Sequence, residues 1–160
     1  MNLSARQFRR LDLVATVRNT LAETGLEPQY LELELTELAL MHDAEETVAT
    51  LNGLGTLGVR LAIDDFGMGY SSLSCLKRFP IGQLKIDQSF VRDIPNDPDA
   101  IAIAGAIIAM AHRLELKVTA EGVETRDQLA FLQAHGCDGG QGYYFGEPMS
   151  PLEIVRLLEQ

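Results

Sequence analysis

Apolar and polar residues alternate strictly over Tyr30–Leu35 (YLELEL), and a period of two predicts a strand. Strand-like runs recur at Val59–Ile63, Gln83–Ile86, Lys117–Ala120 and Gly142–Phe145. Between them the apolar spacing becomes helical. Phe8–Glu23 carries Leu11, Val14, Ala15, Val17 and Leu21 on that spacing and stops at Gly25. Asp43, with Glu46 following in capping-box position, predicts the start of a helix that ends near Gly58. Pro98 suits the first position of a helix bearing Ile101, Ala104, Ile107, Ile108 and Ala111. Thr125 with Gln128, and Ser150 with Glu153, read as two further capping boxes.

With a short helix between Val59–Ile63 and Gln83–Ile86, helices and strands alternate throughout. That order implies an α/β fold with a parallel sheet. Two architectures satisfy it: an open doubly wound sheet and a (β/α) barrel. The 160 residues hold about five βα units, so a barrel would be incomplete.

Composition narrows the partners. The chain has 23 acidic and 13 basic residues and a formal charge of −10. No excess of cations is available to neutralise a nucleic-acid backbone, and an anionic membrane surface would repel the chain. The uncharged run Ala100–Ala111 is shorter than the roughly 20 residues a bilayer requires. The opening MNLSARQFRR lacks the apolar segment of a secretory signal. Cys75 and Cys137 form neither a CxxC pair nor a disulfide framework, in keeping with a reducing cytosol.

The acids fall in a pattern. Glu34 closes the first strand and Glu37 follows it; Val59–Ile63 runs into Asp64 and Asp65; Lys85 and Asp87 flank the end of the third; Glu121 and Glu124 follow Lys117–Ala120. A single acid after a strand is ordinarily a helix cap or a solvated loop residue, and Asp87 is read that way. Four strand ends with the same feature point elsewhere, because parallel α/β folds gather these ends on one face, where sites are built. Clustered carboxylates repel one another unless they bind protons or a cation. Oxygen ligands favour a hard ion such as Mg²⁺, Mn²⁺ or Ca²⁺, and the Asp64–Asp65 pair suits two ions side by side. His42, His112 and His135 fall in or near helices, which argues against zinc. Lys85, set in an apolar strand, is costly to bury without partners and suits contact with a phosphate or a water. The loop from Phe66 to Ser72 and the Gly139–Gly142 segment offer exposed backbone amides, and the latter also the Gln141 side chain.

Glu34-Leu-Thr-Glu37, Asp64-Asp-Phe-Gly-Met-Gly-Tyr-Ser-Ser-Leu73, Lys85-Ile-Asp87, Ala120-Glu-Gly-Val-Glu-Thr125 and Gln141-Gly-Tyr-Tyr-Phe145 occur in the order and spacing of the EAL-domain family, and Asn2–Phe8 resembles a further motif. The resemblance spans essentially the whole chain. It implies a modified TIM barrel that linearises cyclic di-GMP to pGpG with two Mg²⁺ or Mn²⁺ ions. By motif, Asn2, Glu34 and Asp64 match ligands of one ion, and Asp64 and Asp65 ligands of the second. Glu121 resembles a further ligand or the base beside the attacking water, and Lys85 the group that holds that water and the phosphate. Glu37 resembles the acid that steadies the Asp-Phe-Gly loop, while Gln141 and Glu124 resemble polar residues that line the site or position its loops.

No Glu-Ala-Leu triplet occurs in this sequence. The resemblance places that triplet, whose glutamate is a metal ligand, on a strand before Asn2, so the chain is expected to be the C-terminal two-thirds of an EAL domain. Met68 stands where threonine is usual, and Gly146-Glu147 where Ser-Arg is usual. A partial barrel is expected to expose two sheet edges and an apolar inner surface, favouring a second copy or a partner to cover them. Two other readings stay open: a catalytically silent module that binds cyclic di-GMP or another protein, and a Mg²⁺-dependent lyase of the enolase type. The absence of a second lysine or a histidine at a strand end counts against the lyase.

Overall fold

The computed structural model describes residues 1–40, 44–68, 76 and 78–159. Six strands form one parallel sheet: β1 (Asn2–Leu3), β2 (Glu32–Thr36), β3 (Arg60–Phe66), β4 (Gln83–Ile86), β5 (Lys117–Ala120) and β6 (Gly139–Gly140). The helices are α1 (Ala5–Phe8), α2 (Leu13–Thr24), α3 (Glu37–Leu40), α4 (Ala44–Thr56), α5 (Gln88–Val91), α6 (Pro98–Arg113), α7 (Arg126–Ala134) and α8 (Pro151–Leu158).

The spatial order of the strands is the sequence order, β1 to β6, with every neighbouring pair parallel. A doubly wound sheet reverses direction at a switch point. Winding one way throughout places the crossover helices on one face, which is the wall of a barrel. The sheet is not closed: a barrel of this type takes about eight strands, and β1 and β6 are its two edges.

The two faces of the wall differ sharply. Toward the helices point Leu33 and Leu35 of β2, Leu61 and Ile63 of β3, Leu84 and Ile86 of β4, and Val118 and Ala120 of β5, all almost fully buried. The register sets Asn2, Glu34, Ala62, Gln83 and Lys117 in one row on the other face, and Thr36, Asp64, Lys85, Thr119 and Gly139 around the row above. Gln83 Nε2 donates to Thr119 Oγ1 at 3.1 Å across this face, and Arg60 lies 3.9 Å from Glu32. The inner surface is therefore polar, not apolar as expected. The strands can carry charge inward because the helix-facing row alone supplies the apolar burial, roughly 1.5–3 kcal/mol for each large side chain.

Local signals govern the element ends. The Thr125–Gln128 and Ser150–Glu153 capping boxes form as predicted, and Asp97 caps α6 by accepting from the Asp99 amide at 2.9 Å. The single helix expected over Phe8–Glu23 is two, because Ser4 and Gln7 build a capping box for α1 and the Arg10–Asp12 pair at 2.8 Å turns the chain before α2. Leu11 lies in that turn and is 96% exposed, so its helical spacing was coincidental. Tyr30 belongs to a 3₁₀ turn (Pro28–Tyr30) ahead of β2. The strand expected at Gly142–Phe145 is a turn in which Phe145 N donates to Gly142 O at 3.1 Å, and pairing with β5 occurs earlier, at Gly139–Gly140. Gly142 sits at φ 156°, and a Cβ there would lie 2.2 Å from the Val123 carbonyl oxygen. The Asp43 cap, His42, Cys75 and the Gly69–Ser72 part of the loop lie outside the described residues. Cys137 is a free, half-buried thiol. Among the described residues no helix is long and apolar enough to cross a membrane.

Asp138 closes the lower end of β5, accepting from Val118 N at 2.8 Å and lying 3.0 Å from His112 Nε2. Burial works to raise its carboxyl, but the Val118 amide and the His112 ring hold it below the usual aspartate range. A depressed acid contributes stability that is present above its unfolded pKa and lost as pH falls through the folded value. Asp138→Asn is accordingly expected to lower Tm at pH 7, with the gap to the unsubstituted chain shrinking by pH 3. Calorimetry at the two pH values checks this, and an equal gap at both would contradict it.

Candidate functional site

The strand ends of β1 to β5 bring together six side chains that are scattered from residue 2 to residue 121. Lys85, only 4% exposed, projects from the inner face of β4. Its Nζ lies 3.2 Å from Glu34 Oε2 on β2, 3.2 Å from Asp64 Oδ1 on β3 and 2.5 Å from Glu121 Oε1 just beyond β5. Burial alone would pull the Lys85 ammonium down, but Glu121, Asp64 and Glu34 together hold it above its ordinary value. Burial pushes the Glu121 carboxyl up; contact with Lys85 opposes that, and Asp64 and Asp65 add to it.

Successive residues of a strand point to opposite faces, so an Asp-Asp pair should place only one carboxylate in the site. The backbone resolves this at Asp65, which adopts φ 53° where the register of β3 against β4 shifts between Ile63 and Phe66. Such an irregularity bends the strand and re-aims a side chain. Asp64, Asp65 and Glu121 thereby each offer an oxygen within 4.8 Å of the others. Burial and repulsion from Asp64 and Asp87 raise the Asp65 carboxyl despite the nearness of Lys85. Immediately after the bulge, Gly67 N donates to Glu37 Oε2 at 3.2 Å, and Glu37 is 3% exposed. Gly67 is held at φ 101°, with Phe90 so close that a Cβ would lie 2.7 Å from its ring. Thus Glu37 anchors the backbone that carries Asp64 and Asp65.

The arrangement fits a hard cation. The amide end of Asn2 lies 3.0 Å from Asp64 Oδ2 and 3.1 Å from Glu34 Oε2. With nitrogen there, Asn2 donates to both carboxylates. With oxygen there, it stands 3.0 and 3.1 Å from one oxygen of each carboxylate, the spacing of adjacent ligands on an octahedral ion with bonds of roughly 2.1 Å. Asp64 Oδ1 is buried and receives no hydrogen bond, only the charge of Lys85. Against the four carboxylates Glu34, Asp64, Asp65 and Glu121 the described residues set two ammoniums, that of Lys85 and that of the Met1 N-terminus 3.9 Å from Glu34 Oε1, and the remaining negative charge calls for cations.

Other expected residues stand farther out. Glu124 and Gln141 are exposed on loops that line an open cavity of about 770 Å³, together with Gln88, Tyr143 and Phe145. Gln141 is anchored through its backbone, its N donating to Ala120 O at 2.8 Å and its O accepting from Val123 N at 3.0 Å. Asp87 caps α5, accepting from Ser89 N at 2.8 Å, as its structural reading required, though the sequence there looked loop-like rather than helical. One contributor was not foreseen as such. Gln128, recognised only as part of a capping box, is buried and reaches α5 as well as its own helix start.

The family model for the EAL domain matches residues 1–148. Among curated relatives, the cyclic di-GMP phosphodiesterase NbdA of Pseudomonas aeruginosa is 51% identical over 156 residues, which is 98% of this chain and 20% of NbdA. The chain spans about a fifth of the length of the curated relatives it matches. Of solved structures, the PaMucR phosphodiesterase in complex with c-di-GMP is 47% identical with a TM-score of 0.92, covering 96% of this chain and 62% of that one. BlrP1 of Klebsiella pneumoniae, solved as a manganese/cy-diGMP complex, is 35% identical with a TM-score of 0.84, covering 92% of this chain and 38% of that one. The EAL neighbours have a TIM-barrel-like fold, and BlrP1 was solved with manganese and with calcium.

Lys85→Met would leave its three carboxylate partners facing one another. Without metal, the loss is expected to be about 3–5 kcal/mol at pH 7.5, as for a broken buried ion pair. Carboxyls raised in the folded state, as Glu121 already is, bind protons more readily there than in the unfolded chain, so the folded state gains as pH falls. Urea denaturation is expected to show the deficit shrinking between pH 7.5 and pH 5; a deficit that grew on acidification would contradict this.

Proposed function

The chain belongs to the EAL domain family, and from that premise we propose that it is the C-terminal two-thirds of a domain that hydrolyses cyclic di-GMP to linear pGpG. The observation that carries this reading is the Lys85 ammonium enclosed by Glu34, Asp64 and Glu121, with Asn2 and Asp65 alongside, at the strand ends of a barrel wall. Asn2, Glu34 and Asp64 would hold one Mg²⁺ or Mn²⁺; Asp64 and Asp65 would hold a second. When bound, the ions neutralise the phosphodiester and make a bound water acidic enough to act as hydroxide near neutral pH.

The side chains do the rest. Lys85 orients the attacking water and a phosphate oxygen, and Glu121, its carboxyl raised by burial, receives the water's proton. The water oxygen bonds to phosphorus, the bond from phosphorus to the 3′ oxygen breaks in line, and that oxygen takes a proton from solvent water to leave as the 3′ hydroxyl of pGpG. Glu37 keeps the Asp64–Asp65 bulge in place through Gly67. Gln141 and Glu124 line the cavity where the bases would lie. The acidic chain has no use for polymeric nucleic acid or a membrane surface, and we place it in the cytosol.

The open sheet bears on how the domain is completed. Beside the β6 edge, α8 exposes Leu152, Val155 and Leu158. Near β1, an apolar groove of about 690 Å³ runs along α2, lined by Leu3, Leu13, Val17 and Leu21 among others. Both surfaces suit cover by further βα units of a longer protein or by a second copy of the chain. A second reading is a silent module that binds cyclic di-GMP or another EAL domain.

Incubation with cyclic di-GMP and Mn²⁺, followed by chromatography for pGpG, separates the two. The hydrolase reading expects product, abolished by excess EDTA and lowered at least about 100-fold in Asp64→Asn and Glu121→Gln. Binding of cyclic di-GMP without product at high protein concentration would favour the silent module.

A further inference from the structure

Lys85 and Glu121 must keep a fixed separation, yet they sit on different strands at the point where pairing ends. The ladder between β4 and β5 runs out at Ile86 and Ala120, and Glu121 N adds one more bond to Ile86 O at 3.0 Å. Beyond it one chain enters α5 and the other the loop from Glu121 to Thr125. Gly122, at φ 68°, lies over Gln88 so closely that a Cβ would come within 2.6 Å of the Gln88 Cβ.

Farther out, one side chain spans the seam. Gln128 is 3% exposed and uses all of its carboxamide's hydrogen-bonding capacity. Its Oε1 accepts from Glu124 N at 2.7 Å and Thr125 N at 2.9 Å. Its Nε2 donates to Val91 O at 3.2 Å and Arg92 O at 3.1 Å, at the C-terminal end of α5. A capping box requires only the bond to Thr125. The others tie the loop that follows Glu121 to the helix that follows Lys85.

We infer that Gln128 is a positioning residue: its carboxamide clamps the Glu121–Thr125 loop to α5 and so fixes Glu121 against Lys85. This rests on the hydrolase reading above. The chemistry explains why an amide stands there. Glutamate serves a capping box equally well, but a carboxylate cannot donate to the carbonyls of Val91 and Arg92 and would repel them.

Gln128→Glu therefore separates the two roles, keeping the cap and breaking the clamp. In the full chain with Mn²⁺, kcat for cyclic di-GMP is expected to fall about 10–100-fold while KM stays within about threefold, the size of effect that loss of an outer-shell contact produces. Leu132→Ala, a core truncation in the same helix, is the control: it lowers Tm but leaves kcat within about twofold, because Leu132 supplies none of the clamp's side-chain hydrogen bonds. A kcat for Gln128→Glu within twofold of the unsubstituted chain, or an equal kcat loss in Leu132→Ala, would overturn the proposal. If the unsubstituted chain makes no pGpG, the hydrolase reading has failed, and the clamp is then read from Mn²⁺ affinity. A roughly tenfold weakening in Gln128→Glu supports it; unchanged affinity overturns it.

Discussion

Repulsion among carboxylates at one end of the sheet, restrained by the ammonium of Lys85, is the constraint on which the other features depend. With oxygens of Asp64, Asp65 and Glu121 within 4.8 Å of one another, like charges in an effective dielectric near 20 repel by roughly 3 kcal/mol per pair. Lys85, with the more distant Met1 N-terminus beside Glu34, cannot balance Glu34, Asp64, Asp65 and Glu121. The fold must therefore hold these groups in place against their own repulsion, and it does so from behind. The helix-facing residues Leu33, Leu35, Ile63, Leu84 and Ile86 fasten each charged strand into the apolar layer. Glu37 grips the backbone after the Asp64–Asp65 bulge, and Gln128 joins the loops on either side of Lys85 and Glu121.

Unidirectional winding makes this convergence possible. Each βα step brings the next strand end beside the last, so Glu34 and Glu121, 87 positions apart in sequence, come to share the Lys85 ammonium. The polar inner face follows from the same geometry. In a barrel whose interior carries charge, the apolar stripe needed for folding must lie entirely on the helix side, and the strands here obey that division from β2 to β5. The remaining apolar surfaces, at α8 and along α2, flank the two open edges, where a barrel would close.

Much of this was legible in the sequence, for reasons that also explain what was not. Alternation exposed β2, and capping boxes fixed the starts of α7 and α8, because both signals are local. Acids after apolar strands pointed to a shared face once the parallel order was recognised. The choice between doubly wound sheet and barrel was not legible in the spacing, since it depends on the spatial order of strands; only the EAL resemblance pointed to the barrel. Strand β1 was invisible because two residues carry no period. The polar interior was misjudged because Glu32, Arg60, Gln83 and Lys117 look like ordinary solvated positions until the register lines them up on one face. The Asp65 bulge leaves no mark in a single sequence, and Gln128 showed its capping signature but not its reach to α5.

The central claim is that the carboxylates around Lys85 form a divalent-cation site. Its most direct test is the electron paramagnetic resonance signal of free Mn²⁺ during titration with the chain at pH 7.5. Saturable depletion of free Mn²⁺ by the unsubstituted chain, lost in the double variant Glu34→Gln and Asp65→Asn, is the expected result. A free Mn²⁺ signal unaffected by the chain, or depleted equally by the variant, would contradict it.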